Sequence, residues 1–185
     1  QANQHLLRAL RLEQVRHLVD AGGGDGTNGI ALCRKYPHLK VTVFDSDSVC
    51  KIAKAQIATA GYADRVGVWA GDFFHDPFPS GMDAILFSHI LTIWSPDANI
   101  ELLTRAHRSL PTGGIVIVFN MMGNDDDSGP LSTALGSPYF QAIATGNGML
   151  YSWADYESWF RAAGFTQLQR FDQLPLNHGL LVATK

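Results

Sequence analysis

The sequence predicts an α/β fold of seven short strands, mostly parallel, closed by an antiparallel C-terminal hairpin. Three observations carry that prediction. Short apolar runs alternate with stretches of helical period, the pattern of strand–helix–strand units in a sheet covered on both faces. A glycine-rich turn follows the first apolar run and opens a helix. The last two runs have only Asp172–His178 between them, too short for a helical crossover, so they should pair antiparallel.

The elements follow in order. Leu6, Leu7, Leu10, Leu12 and Val15 give a helical pattern, read as an N-terminal helix over 1–16 leading into a core domain over 17–185. His17–Ala21 is the first buried strand, and a helix follows the glycines to about Tyr36. Val41–Phe44 is the second strand and Ser48–Ala60 the next helix. Val66–Ala70 and Ala84–Ser88 are strands three and four, and Asp97–Leu110 is helical. The turn Pro111-Thr112-Gly113-Gly114 leads into strand five, Ile115–Phe119. A looser segment from Met121 to Gly148 carries one helix. Ala154–Ala163 is a helix stopped by Gly164, and Phe165–Phe171 and Gly179–Thr184 are the final strands.

Composition narrows the function. A chain of 185 residues fits one domain with one sizeable core. A net charge of −3 gives no electrostatic footprint for nucleic acid or a membrane surface. No apolar run approaches the roughly 20 residues that span a bilayer. Cys33 and Cys50 fall inside helical stretches and read as small buried apolar residues, with no metal set expected. The expectation is a reducing, cytoplasmic protein without a targeting signal. The chain opens on Gln1, not Met, which leaves open that it was trimmed or excised from a longer enzyme. Asp125-Asp126-Asp127 reads as a solvated acidic turn.

The strongest local signal is Val19-Asp20-Ala21-Gly22-Gly23-Gly24-Asp25-Gly26-Thr27-Asn28-Gly29, placed between a strand and a helix. Glycines there let backbone turn tightly and approach a ligand closely. Residues 24–29 satisfy the dinucleotide fingerprint literally, though a glycine-rich turn without a ligand would look the same. Asp20 speaks against a pyrophosphate, which a carboxylate would repel. It suits a cationic ligand such as the amino group of S-adenosylmethionine. Asp45 ends strand two about 20 residues beyond the glycines, where an acid holds ribose hydroxyls; its plainer role is to cap the following helix, beside Ser46. Gly71-Asp72-Phe73-Phe74 follows strand three, where Asp72 can accept from an adenine amino group while Phe73 stacks on the ring. All these positions lie at C-terminal strand ends, where open α/β sheets bind ligands.

Taken together, residues 20–26, Asp45, residues 71–74 and the stretch Asp83-Ala84-Ile85-Leu86-Phe87-Ser88-His89-Ile90-Leu91-Thr92-Ile93-Trp94 resemble the plant-type and bacterial small-molecule O-methyltransferases. Leu110-Pro111-Thr112-Gly113-Gly114 and Ala162-Ala163-Gly164-Phe165 fit the same family. The resemblance implies a Rossmann-like class I methyltransferase fold. It implies S-adenosylmethionine as cofactor, with S-adenosylhomocysteine as product, held by Asp20, Gly22, Gly24, Asp45, Ser46, Asp72, Phe73 and Ser88. It implies a small natural-product-like acceptor, methylated on a hydroxyl, with Thr92, Trp94 and Met121 at its pocket; packing in the core is the plainer role for Trp94, Met121 and Met122. It also implies an N-terminal helical domain that dimerises and closes the pocket. These residues do not include that domain, so a homodimer is expected only through it.

One catalytic position departs from the family. Many members carry a histidine general base two residues before the tryptophan that Trp94 matches. Here Thr92 stands there, followed by Ile93, and neither is a base near neutral pH. Some bacterial members lack this histidine too and work by positioning the acceptor. His89, at the end of strand four, is the candidate base, against a structural or substrate-contacting role. The competing readings are a C- or N-methyltransferase on the same scaffold, a non-methylating enzyme that keeps the cofactor, a binding module without activity, and an NAD(P) dehydrogenase. Three carboxylates at the expected sites argue against a decayed module.

Overall fold

The computed structural model describes residues 2–126, 128–140, 142 and 145–185. Gln1 and Asp127 lie outside the described residues, as do a few positions in the segment that ends at Gly148. The elements run α1 (Ala2–Ala9), β1 (His17–Ala21), α2 (Thr27–Lys35), β2 (Lys40–Asp45), α3 (Asp47–Thr59), β3 (Val66–Ala70) and β4 (Ala84–Ser88). They continue with α4 (Pro96–Ser109), β5 (Ile115–Met121), α5 (Leu131–Tyr139), α6 (Trp153–Ala162), β6 (Gln167–Phe171) and β7 (His178–Thr184), with a short 3₁₀ turn at Pro175–Asn177.

The strands form one seven-stranded sheet in the order β3-β2-β1-β4-β5-β7-β6. β1 to β5 run parallel to one another, and β7 runs antiparallel to both β5 and β6. The expected hairpin of the last two strands is present. Its second strand lies inside the first, against β5, while β6 takes the edge. The central strands β1, β4 and β5 are apolar on both sides because both faces are covered there. Ile85, Phe87, Val116 and Val118 pack with Leu102, Leu103, Tyr156 and Phe160 of α4 and α6. Leu86, Ile117, Val41 and Val43 pack on the other face with Leu6, Leu32, Cys33 and Ile57 of α1, α2 and α3. Cys33 and Cys50 are both buried thiols. Each large apolar side chain so buried contributes about 1.5–3 kcal/mol, which fixes β4 at the centre: Ile85, Leu86 and Phe87 are wholly covered.

The helix ends follow local chemistry. Ser95 accepts from the Ala98 amide (3.3 Å) ahead of Pro96 at the start of α4. Ser152 and Asp155 form a reciprocal capping box on α6. The first helix is shorter than the 1–16 its apolar pattern predicts and stops at Ala9. Its terminal carbonyls are taken by side chains from α2 and its C-terminal end: Lys35 donates to Leu7 and Leu10, and the Tyr36 hydroxyl donates to Leu10 (2.7 Å). Leu10, Leu12 and Val15 remain buried below it in non-helical chain, so the pattern marks burial there rather than helix. No described helix is long and apolar enough to cross a membrane.

Candidate active site

The candidate site is assembled at the C-terminal ends of β1 to β5, from the turns that leave each strand. Asp20 sits on β1 between Val43 of β2 and Leu86 of β4. It is fully buried, and neither carboxylate oxygen has a partner among the described residues. Burial, and then the nearby Asp45 charge, push its pKa from about 3.8 up to about 7.

The glycine turn closes over this carboxylate. A Cβ on Gly23 would lie 2.8 Å from Asp20 Oδ2, so a larger residue would collide with the acid. Gly22 takes φ +71° and donates to the Phe44 carbonyl (2.8 Å), tying the turn to β2. Gly24 and Gly26 also take positive φ, at +58° and +83°. The two differ in surroundings. A Cβ on Gly26 would press on Ile57 at 3.1 Å, whereas one on Gly24 would meet nothing within 4 Å. Gly26 therefore serves the packing of α2 on α3, and Gly24 borders open space.

Asp45 joins two turns. Its Oδ2 accepts from the Gly24 amide (3.0 Å) and its Oδ1 from the Ser46 amide (2.8 Å). Ser46 is the N-cap of α3 and makes no side-chain capping bond. Ser46 is exposed, and its hydroxyl meets that of Ser48 at 3.3 Å.

Asp72 is exposed. Its Oδ1 accepts from the Phe74 amide (2.8 Å) and its Oδ2 pairs with His75 Nδ1 (2.8 Å). The His75 bond lowers its pKa most, followed by the Phe74 amide. The turn is braced further by Asp76, which accepts from the Asp72 amide (2.8 Å), and by Arg105, which donates to the Phe73 and Asp76 carbonyls. Phe73 stands edge-on to Phe44, and Phe74 edge-on to Trp94, which gives one aromatic wall from β2 to the turn after β4.

Ser88 ends β4, half-buried. His89 follows with a left-handed backbone, φ +59°. Its ring packs edge-on against Phe119 (5.3 Å between centroids) and His178 (5.2 Å). Its Nε2 is buried without a partner among the described residues. Burial first, then His178, depress its pKa to about 4. Thr92 is 1% exposed, its hydroxyl donates to the His89 carbonyl (3.4 Å), and its own carbonyl lies beneath Gly148. Its side chain therefore faces protein. Trp94 is half-buried with an unpartnered Nε1, and Met121 is half-buried, opposite His178 across the β5–β7 ladder. Met122 is buried in the core.

The sequence reading did not anticipate His178, His5, His75 or Arg105. His75 was within reach, since an acid and a histidine three residues apart meet in a turn. His178 comes beside His89 only through the β5–β7 register. Elsewhere, a groove of about 550 Å³ at the N-terminal strand ends is lined by Arg16, His17, His38 and Lys40. Its histidines are already engaged: both His17 nitrogens meet Gly81 O and Thr42 Oγ1, and His38 meets the Leu12 carbonyl.

Comparison with known proteins gives a consistent picture. The chain is 44% identical to the L-tyrosine C(3)-methyltransferase of Streptomyces lavendulae, over all of this chain and 51% of that one. It is 40% identical to the 3-hydroxy-5-methyl-1-naphthoate 3-O-methyltransferase of Streptomyces sahachiroi (90% and 48% covered), and 31% identical to the N,N-dimethyltransferase OxyT of Streptomyces rimosus (98% and 52%). Among solved structures, the S-adenosylmethionine-dependent methyltransferase SibL superposes with a TM-score of 0.93 at 40% identity, over 99% of this chain and 54% of that one. Human N-acetylserotonin methyltransferase in complex with SAM superposes with a TM-score of 0.90 at 27% identity (99% and 51%). The chain thus spans about half the length of the relatives it matches. With a fold that follows an S-adenosylmethionine-dependent methyltransferase over 99% of its length, and with residues 2–166 matching the profile of the O-methyltransferase domain, this chain belongs to the O-methyltransferase domain family.

Proposed function

We propose that this chain binds S-adenosylmethionine and transfers its methyl group to a hydroxyl of a small, hydroxylated aromatic molecule. The observation that carries the reading is Asp20, a fully buried carboxylate with no partner beneath a glycine turn that borders open space. A buried unpaired carboxylate is costly, and a cationic ligand removes the cost. The cofactor, when bound, supplies a methyl group already activated by its sulfonium.

The chain's own residues supply the rest. Asp20 faces the cofactor's amino group, and the backbone at Gly24, which borders open space, lets the ligand lie close, while Gly22 makes room for Ile90. Asp45, anchored by two amides, keeps lone pairs for two ribose hydroxyls. Asp72, fixed by Phe74 and His75, accepts from the adenine amino group while Phe73 covers the ring. Ser46 and Ser88 edge the same cleft. At the acceptor, His89 Nε2 takes the hydroxyl proton, the Trp94 indole N–H offers a free donor, and Met121 lines the wall. Thr92 contributes to this wall through its place under Gly148 rather than through its hydroxyl. Orientation of acceptor against donor carries most of the acceleration, up to about 7–11 kcal/mol of the barrier.

A second reading, methylation at a ring carbon, is favoured by the 44% identity to a tyrosine C(3)-methyltransferase. Removing the hydroxyl proton raises electron density at the neighbouring ring carbons, so the same His89 serves both products. The test has two arms. Calorimetric titration should give binding of S-adenosylmethionine and none of NAD; the reverse order sinks the cofactor assignment. Incubation with methyl-labelled cofactor and L-tyrosine or a hydroxynaphthoate, with the product located by NMR, then separates oxygen from carbon transfer. Label on neither leaves the non-methylating reading standing. Dimerisation through an N-terminal half like that of the relatives completes the proposal for the whole protein.

A further inference from the structure

Among the described residues, three other than glycine hold a left-handed backbone: His89 (φ +59°), Leu176 (+60°) and Asn177 (+56°). Asparagine and histidine visit this region more often than most residues; a leucine does not. Such backbone persists where the surroundings over-determine it, and it gathers at functional sites. All three positions fall on two segments that meet in space. One is the end of β4, which carries His89. The other is the bend that feeds directly into His178, the first residue of β7.

That bend is held from three sides. The Met122 amide donates to the Asn177 carbonyl (3.0 Å), and Asn177 Nδ2 donates to Ser132 Oγ on α5 (2.7 Å). His178 Nδ1 meets the Pro175 carbonyl at 3.2 Å. A carbonyl can only accept, so Nδ1 carries the proton and the tautomer is fixed. The His178 ring then lies flat on Phe119, with centroids 5.0 Å apart and planes 20° apart. His89 stands edge-on to both rings, at 85° to His178 and 78° to Phe119. On the far side His5 of α1 comes within 6.2 Å of His178. Around His89, β5 contributes Phe119 and Met121, α5 meets the bend through Ser132, and the titratable groups are His178 and, behind it, His5. No group of three or more His, Cys, Asp or Glu among the described residues is placed to hold a metal ion.

We infer that His178 is a positioning residue for His89: its imidazole and the Phe119 ring grip the His89 ring at the end of β4 and leave Nε2 without a protein partner. The inference rests on the reading of His89 as proton acceptor, and it explains why the left-handed turn at His89 and the strained bend at Leu176 meet at one ring contact. It explains as well why the gripping ring is an imidazole. Burial first, and the second basic ring after it, disfavour charge on His89, so its ring stays neutral across the neutral range.

The test is a pH titration of histidine side-chain resonances in the whole 185-residue chain, wild type against His178→Ala and His178→Phe. In wild type, His89 should show contacts to the Phe119 ring and no titration above about pH 5. In His178→Ala those contacts should weaken and the His89 midpoint should rise. In His178→Phe the contacts should return, because a flat ring is restored, while the midpoint stays above wild type, because the second base is gone. His89 contacts and midpoint unchanged in both variants overturn the inference. If the alanine variant does not fold, the phenylalanine variant alone decides, through its midpoint. None of these readouts depends on turnover, so a failure of the methyl-transfer assay is told apart from a failure here.

Discussion

Replacing Asp20 by asparagine removes one ionisation and almost no volume. In the folded chain its carboxyl is pushed from about 3.8 to about 7, chiefly by burial. The folded state therefore binds the proton more tightly than the unfolded one between those two values. Stability must fall as pH rises through that window and level off above about 7; below 3.8 the residue contributes no slope. At about 1.4 kcal/mol per pH unit, the window has a ceiling of about 4 kcal/mol. Asp20→Asn carries no such slope. Denaturant unfolding without cofactor should find the two proteins alike near pH 4 and the variant more stable at pH 8, by a sizeable part of that ceiling. Cofactor reverses the order. A bound ammonium holds Asp20 ionised, so the wild type should gain more from S-adenosylmethionine than the variant does. Below pH 7 its binding should release a proton, visible as a buffer-dependent enthalpy. A stability difference that is the same at pH 4 and pH 8, or an unaltered affinity for S-adenosylmethionine in Asp20→Asn, would refute the reasoning.

Asp45→Ala strips acceptors from the Gly24 and Ser46 amides; hydrogen bonds to a charged group are worth about 1.5–3 kcal/mol, so calorimetry should record cofactor affinity reduced by more than tenfold. Gly26→Ala forces a Cβ into left-handed backbone against Ile57, at a cost of about 1–2 kcal/mol, which a lowered melting temperature would register. Tyr156→Phe leaves the buried Asn120 Nδ2 without its acceptor (2.9 Å) and should cost about 1–3 kcal/mol in denaturant unfolding; an unchanged midpoint would mean that another acceptor is at hand. His89→Ala should lower turnover more than tenfold with cofactor affinity nearly unchanged, because the proposal gives the ring a role at the acceptor and none at the cofactor; equal turnover makes His89 structural.

The strands were legible because burial on both faces leaves little but apolar residues. Ala84–Ser88 is such a run, and even Val66–Ala70, near the sheet's edge with Trp69 partly exposed, keeps enough of the pattern to be placed. The Asp20, Asp45 and Asp72 positions were legible for a related reason. A parallel sheet puts every strand's last residue at one end, so order along the chain becomes proximity. What stayed hidden depends on partners far along the chain. The first helix ends at Ala9 because Lys35 and Tyr36 reach its carbonyls from 25 or more residues away. Thr92 is sealed by Gly148, and His89 meets His178 across nearly ninety residues. A hairpin between the last two strands follows from their short connection. Which of the two lies inside does not.

That inside position has a consequence for how the molecule is made. β6 precedes β7 in the chain, yet its ladder partner is β7, which stands between it and the rest of the sheet. On the ribosome, β1 to β5 can pair as they emerge, each against a strand already made. β6 cannot: it must wait as an open ribbon until His178–Thr184 has been synthesised and has slotted against β5. The β5 edge, with Val116, Ile117 and Val118, stays uncovered for the same interval. Completion of the sheet is thus one late, joint event, and ribosome-bound chains halted after β6 should be open to protease at β6 while β1 to β4 are already protected.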